Sequence, residues 1–147
     1  YEPNIERVKP IVSVDLITKL PEILRAKQQQ FVDTGGVHAS ALFRADGKLI
    51  HLAEDVGRHN ALDKLIGYVR RNSILQPFEQ FVMCSGRLCF DIMQKTLVSG
   101  IGMVIGIGAP TSLSLDLARK FDITLIGFVN NNKYNIYNGE WRIKPNP

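Results

Sequence analysis

The sequence predicts a three-layer α/β/α domain on a mixed sheet that ends in a C-terminal edge hairpin. Apolar residues alternate between helical spacing and short strand-like runs along the chain, and turn pairs punctuate the joins. With 45% hydrophobic content over 147 residues the chain can bury a real core. One domain over 1–147 is expected. Because the chain opens on Tyr1 in a polar stretch rather than on Met, it reads as a piece of a longer protein.

The first helix is marked by Leu20, Ile23, Leu24, the Lys27 stem and Phe31 on one face. Gly35 and Gly36 allow a sharp turn after it. Val37 to Phe43 and Leu49 to Ala53 are apolar runs either side of the Asp46/Gly47 turn pair, which predicts a hairpin. Leu62, Leu65, Ile66 and Val69 then recur at helical spacing, so Gly57, Arg58, His59 and Asn60 fall in that helix's first turn. Phe81 to Cys84 predicts a short buried strand, Arg87 to Ser99 a helix and Met103 to Ile107 a strand. Ser112 to Phe121 predicts a helix and Ile123 to Val129 a strand. Tyr134 to Tyr137, Asn138/Gly139 and Trp141 to Ile143 complete the expected edge hairpin.

Composition excludes several classes. The 18 Lys+Arg against 14 Asp+Glu give a net charge of +4 and a pI near 9.2, mildly favourable to phosphate-rich partners. No basic run is longer than Arg70/Arg71 and no zinc-finger or RNA-binding signature occurs, so a nucleic-acid partner is not expected. No apolar run reaches the roughly 18 residues of a membrane span, and no export signal opens the chain. Cys84 and Cys89 form neither a disulfide framework nor a CxxC, which fits a reducing, cytoplasmic setting. Both read as structural thiols.

The stretch from Thr34 to Lys64 holds more polar chemistry than a hairpin and a helix need: a glycine pair, His38, Glu54, Asp55 and the Arg58, His59, Asn60 cluster. Ligands of open α/β sheets sit where strands lead into helices, and a helix start offers free amides and a positive dipole end. Three such junctions occur, at Glu54 to Asn60, at Ser85, Gly86 and Arg87, and at Ala109, Pro110 and Thr111. Each can hold a phosphate without a P-loop lysine. A plainer reading stays open at each: Asp55 capping the helix with Glu54 paired to Arg58, Ser85 as a cap, and Pro110 to Ser112 as an ordinary helix start. Gly100, Gly102, Gly106 and Gly108 break the GxGxxG spacing, and tight packing explains them better.

The element order resembles that of zinc cytidine deaminases, but GRHNA and SGRLC stand where those enzymes carry HxE and PCxxC, so no metal site is expected. The blocks TGGVH at 34–38, EDVGRHNALDK at 54–64, SGR at 85–87 with Lys95 beyond, APT at 109–111 and TLIGF at 124–128 together resemble the FdhD family of formate dehydrogenase accessory sulfurtransferases. The resemblance implies a sulfur carrier that takes sulfur from a cysteine desulfurase. It passes that sulfur to the bis-guanine-dinucleotide molybdenum cofactor for formate dehydrogenase, and GDP is a mimic of the cofactor. It also implies a homodimer and assigns cofactor contact to Phe128, Val129, Asn130, Asn131, Asn132 and Lys133. Here asparagines replace the basic residues usual in that segment, except at Lys133. The family's persulfide cysteine lies in a CxxC loop, and none occurs in these residues. It is expected upstream of Tyr1, so this chain should bind cofactor without transferring sulfur. Two other classes remain open: a nucleoside deaminase and a scaffold that docks partners without a pocket.

Overall fold

The computed structural model describes residues 9–28, 37–72, 79–130 and 133–145. A two-residue strand β1 (Val12–Ser13) leads into α1 (Val14–Lys27), where the Ser13 hydroxyl caps the helix by accepting from the Leu16 amide at 3.2 Å. Ile17, Leu20 and Leu24 are buried on one face, whereas Lys27 is exposed rather than packed along its stem. Phe31, Gly35 and Gly36 lie outside the described residues.

The hairpin forms as expected, from β2 (His38–Arg44) and β3 (Leu49–Asp55). Gly47 takes a φ of 93° at its turn, a conformation that favours glycine. There follow α2 (Arg58–Arg71), β4 (Gln80–Cys84), α3 (Phe90–Val98), β5 (Met103–Gly106), α4 (Ser112–Lys120), β6 (Thr124–Gly127), β7 (Asn135–Asn138) and β8 (Ile143–Lys144). The main sheet runs β3-β2-β4-β5-β6-β7, with β4, β5 and β6 parallel and the pairings outside them antiparallel.

Period-two alternation divides the strands between two cores. Ala39, Ala41, Phe43, Phe81, Met83, Ile105 and Ile126 pack with α1, and Phe43 stacks on Phe81 at 5.4 Å. Leu42, Val82, Val104 and Leu125 pack on the opposite face with Leu62, Leu65, Ile92, Met93 and Ala118 of α2, α3 and α4. The three expected layers result.

Two boundaries differ from the sequence reading. The third helix begins at Phe90, not Arg87, because Leu88 is held extended in a parallel bridge with Pro110. The Leu88 amide donates to the Ala109 carbonyl and the Thr111 amide to the Leu88 carbonyl, both at 3.1 Å. The C-terminal edge hairpin expected across Asn138/Gly139 does not form, because β7 pairs antiparallel with β6. Residues 140–142 form a 3-10 turn, and β8 crosses to pair with β1. Arg142 directs this crossing from a fully buried position, donating to the carbonyls of Lys9 and Asp122 and to the Thr124 hydroxyl.

Candidate functional site at the strand exits

The loops leaving β4, β5 and β6 all open at the carboxyl end of the parallel strands. Because β2 runs antiparallel to β4, its first residue, His38, lies at this same end. Glycines let the loops close on one another. A Cβ on Gly86 would meet His38 Nδ1 at 3.2 Å and the Arg58 side chain at 3.5 Å, so these three residues converge. A Cβ on Gly108 would fall 3.0 Å from the Gly86 carbonyl oxygen, and one on Gly127 3.1 Å from that of Gly108. The Phe128 amide donates to the Gly108 carbonyl and the Val129 amide to that of Gly106, both at 3.2 Å. His38, Gly86, Gly108 and Phe128 thus succeed one another along one rim. The expected tight packing explains Gly106 as well: a Cβ there would sit 2.7 Å from the buried Leu88 side chain.

At the start of α2 the N-cap is Gly57 with no side-chain cap bond, so Asp55 does not cap the helix as the plainer reading has it but is engaged beside it. Asp55 accepts from the Gly57 amide at 3.0 Å and from the Asn60 amide group at 3.4 Å, and pairs with Lys64 at 2.9 Å. Its pKa falls to about 2, chiefly through the Gly57 N–H, with Lys64 second. This contribution to stability is present above the ordinary carboxylate pKa and is lost as pH falls through that value towards about 2. An NMR titration should therefore place the Asp55 midpoint near 2, and Lys64→Met should raise it only part of the way, because the Gly57 donor remains. A midpoint at the ordinary value in the unsubstituted chain would refute this geometry.

The proposed Glu54 to Arg58 pair is not among the ion pairs of the described residues. Glu54 Oε2 and Arg58 Nε are instead shielded from solvent with no hydrogen-bond partner. A buried unmet donor costs on the order of 1–3 kcal/mol, which an incoming acceptor would offset.

Other candidates are engaged within the chain. The Ser85 hydroxyl accepts from the Ala39 amide at 2.9 Å, and the Thr111 hydroxyl caps α4 by accepting from the Ser114 amide at 3.2 Å. Arg87 is exposed. His59 Nε2 lies 3.3 Å from Cys89 Sγ, a contact the sequence reading missed. Placing the helix start at Phe90 would have exposed it, since Cys89 is then the N-cap residue. Cys84 is buried as expected, with its thiol pushed up to about 11 by burial, but Cys89 is only half-buried.

Further along the rim, Ile107, Phe128, Val129, Asn130, Lys133 and Asn135 line an open cavity of about 540 Å³. Phe128 is 48% exposed and adopts a φ of 54°, the left-handed region. Asn130 and Lys133 brace the segment: the Asn130 side-chain oxygen accepts from the Lys133 amide and the Asn130 amide donates to the Lys133 carbonyl, both at 2.9 Å. Asn131 and Asn132 lie outside the described residues.

The strand order and the switch-point loops define a deaminase-like α/β/α domain. It shares that fold with a guanine deaminase from Nitrosomonas europaea at a TM-score of 0.59 and 12% identity, covering 89% of this chain and 82% of that one. Among the described residues no group of three or more His, Cys, Asp or Glu could hold a metal ion. The FdhD/NarQ family model matches residues 2–144, and the chain belongs to that family. It is 45% identical over 143 residues to the sulfur carrier protein FdhD of Sulfurisphaera tokodaii, covering 97% of this chain and 56% of the relative. With the Streptomyces coelicolor protein of the same name it shares 43% over 132 residues, covering 90% and 47% respectively. A proposed formate dehydrogenase accessory protein from Desulfotalea psychrophila superposes with a TM-score of 0.85 at 27% identity, covering 97% of this chain and 62% of that one. The chain spans about half the length of the curated relatives it matches.

Proposed function

We propose that this chain is the cofactor-binding body of a sulfurtransferase that carries sulfur for formate dehydrogenase. The named relatives support the sulfur-carrier role. The observation that carries the binding role is the unmet, buried Arg58 Nε at a rim where helix starts and Gly86 crowd together. The substrate is the bis-guanine-dinucleotide molybdenum cofactor, whose phosphates suit this rim and whose guanine suits the cavity beside the half-exposed Phe128. Amides 88, 107, 111, 128 and 129 are already bonded within the rim, so charge recognition falls to the side chains of Arg58, Arg87 and Lys133.

The resemblance carries further proposals: a cysteine desulfurase as sulfur donor, formate dehydrogenase as recipient, a homodimer and a cytoplasmic setting. Among the described residues no helix is long and apolar enough to cross a membrane. The resemblance places the family's persulfide cysteine in a CxxC loop, and these 147 residues contain no CxxC.

Calorimetric titration of GDP tests the binding role, with ADP as control. Arg58→Ala and Arg87→Ala are each expected to weaken GDP binding about ten- to a hundredfold, the loss of one charge-assisted hydrogen bond. Equal heats for GDP and ADP, or unchanged affinity in both variants, would refute this reading and favour a docking scaffold.

A further inference from the structure

We propose that Cys89, with His59 as its base, is a sulfur-accepting thiol within this domain, a role that rests on the sulfur-carrier reading. The two side chains come from different elements, His59 from the first turn of α2 and Cys89 from the N-cap position of the nine-residue α3, and they meet at 3.3 Å. A thiol within hydrogen-bond reach of an imidazole is the arrangement that activates a sulfur nucleophile. The cap position lies at the positive end of the helix dipole.

The neighbouring thiol provides an internal contrast. Cys84 is 2% exposed within the apolar core, has the Ser40 hydroxyl at 3.6 Å as its polar contact, and is held protonated by burial. Cys89 is half-buried, with a base as its partner. Arg58, next to His59, carries the unmet Nε and packs against Gly86, three residues before Cys89, so a cation stands near the approach of an anionic donor. Nothing in the binding role uses either Cys89 or His59 Nε2.

The donor class is a persulfide, R–S–S⁻. In the tautomer with its proton on Nδ1, His59 Nε2 takes the Cys89 proton, and the thiolate attacks the outer sulfur of the donor. The Cys89 sulfur to sulfur bond forms as the donor's breaks, and the proton passes to the departing thiolate to give R–SH. Cys89 is left as its persulfide anion. The transferred sulfur keeps its oxidation level, so no oxidant or reductant is needed.

The test exposes the chain to glutathione persulfide and locates added sulfur by mass spectrometry of the intact chain and its peptides. One sulfur atom on Cys89 is expected. It should be lost in Cys89→Ser and retained in Cys84→Ala, and His59→Gln should slow its gain by at least about tenfold. Circular dichroism verifies that each variant folds, and in urea both thiols should react alike. If His59→Gln fails to fold, the ratio of Cys89 to Cys84 labelling in the native chain against the urea-treated chain decides the matter. No sulfur on Cys89, equal labelling of both thiols in the native chain, or an unslowed folded His59→Gln would overturn the proposal. GDP titration of the same sample separates the two readings. Normal GDP binding without Cys89 labelling removes only the thiol role, whereas labelling without GDP binding removes only the nucleotide site.

Discussion

Arg142→Met should lower the free energy of unfolding by roughly 3–5 kcal/mol. Arg142 is fully buried and spends its donors on the Lys9 carbonyl at 3.0 Å, the Asp122 carbonyl at 2.6 Å and the Thr124 hydroxyl at 3.1 Å. Methionine approximates the volume of the stem but donates nothing, so two carbonyls would be left without this partner in a place water enters poorly. The effect is compounded at Asp122, whose φ of 56° is a left-handed conformation that the guanidinium helps to hold. Urea unfolding with an unchanged slope measures the loss. A loss under about 1 kcal/mol would mean that the carbonyls rehydrate and that the arginine is not the tie between β8 and β6.

Leu88→Ala is expected to cost about 3–4 kcal/mol and, unlike Arg142→Met, to weaken GDP binding as well. Leu88 is completely buried, its side chain lies over the bare backbone of Gly106, and its own backbone bridges Pro110. Truncation leaves a cavity under the rim and frees the loop that positions Gly86 and Arg87. Unfolding and GDP titration on the same variant check both effects. Full GDP affinity in a destabilised Leu88→Ala would show that the rim is positioned by its backbone bonds alone.

Much of the fold was legible because its signals are local. The Asp46/Gly47 turn, the helical spacing of Leu62, Leu65, Ile66 and Val69, and the short apolar runs of β4, β5 and β6 each declare an element from nearby residues. What escaped depends on contacts between distant residues. Arg87 to Cys89 have ordinary helix-forming neighbours, and only the bridge from Leu88 to Pro110 holds them extended. The destination of the last strand is likewise set by Arg142 reaching Lys9, 133 residues away. At the site, sequence grouped junctions that the fold brings to one end of the sheet but could not show which polar groups were already engaged. Thr111 and Ser85 turn inward as caps and loop ties, Arg58 keeps a donor unmet, and His59 finds a thiol thirty residues on.

The rim is laced by its own backbone. Ile107 donates to Cys84, Leu88 to Ala109, Thr111 to Leu88, Phe128 to Gly108 and Val129 to Gly106, so each loop is stitched to the one before it. Among the described residues, none of these three loops can lift away without breaking a bond that belongs to its neighbour. The rim is therefore a stiff rail rather than a set of closing fingers. A guest on such a rail loses little affinity to ordering its host, and discrimination between guests comes from fit to a fixed shape instead of from movement after arrival.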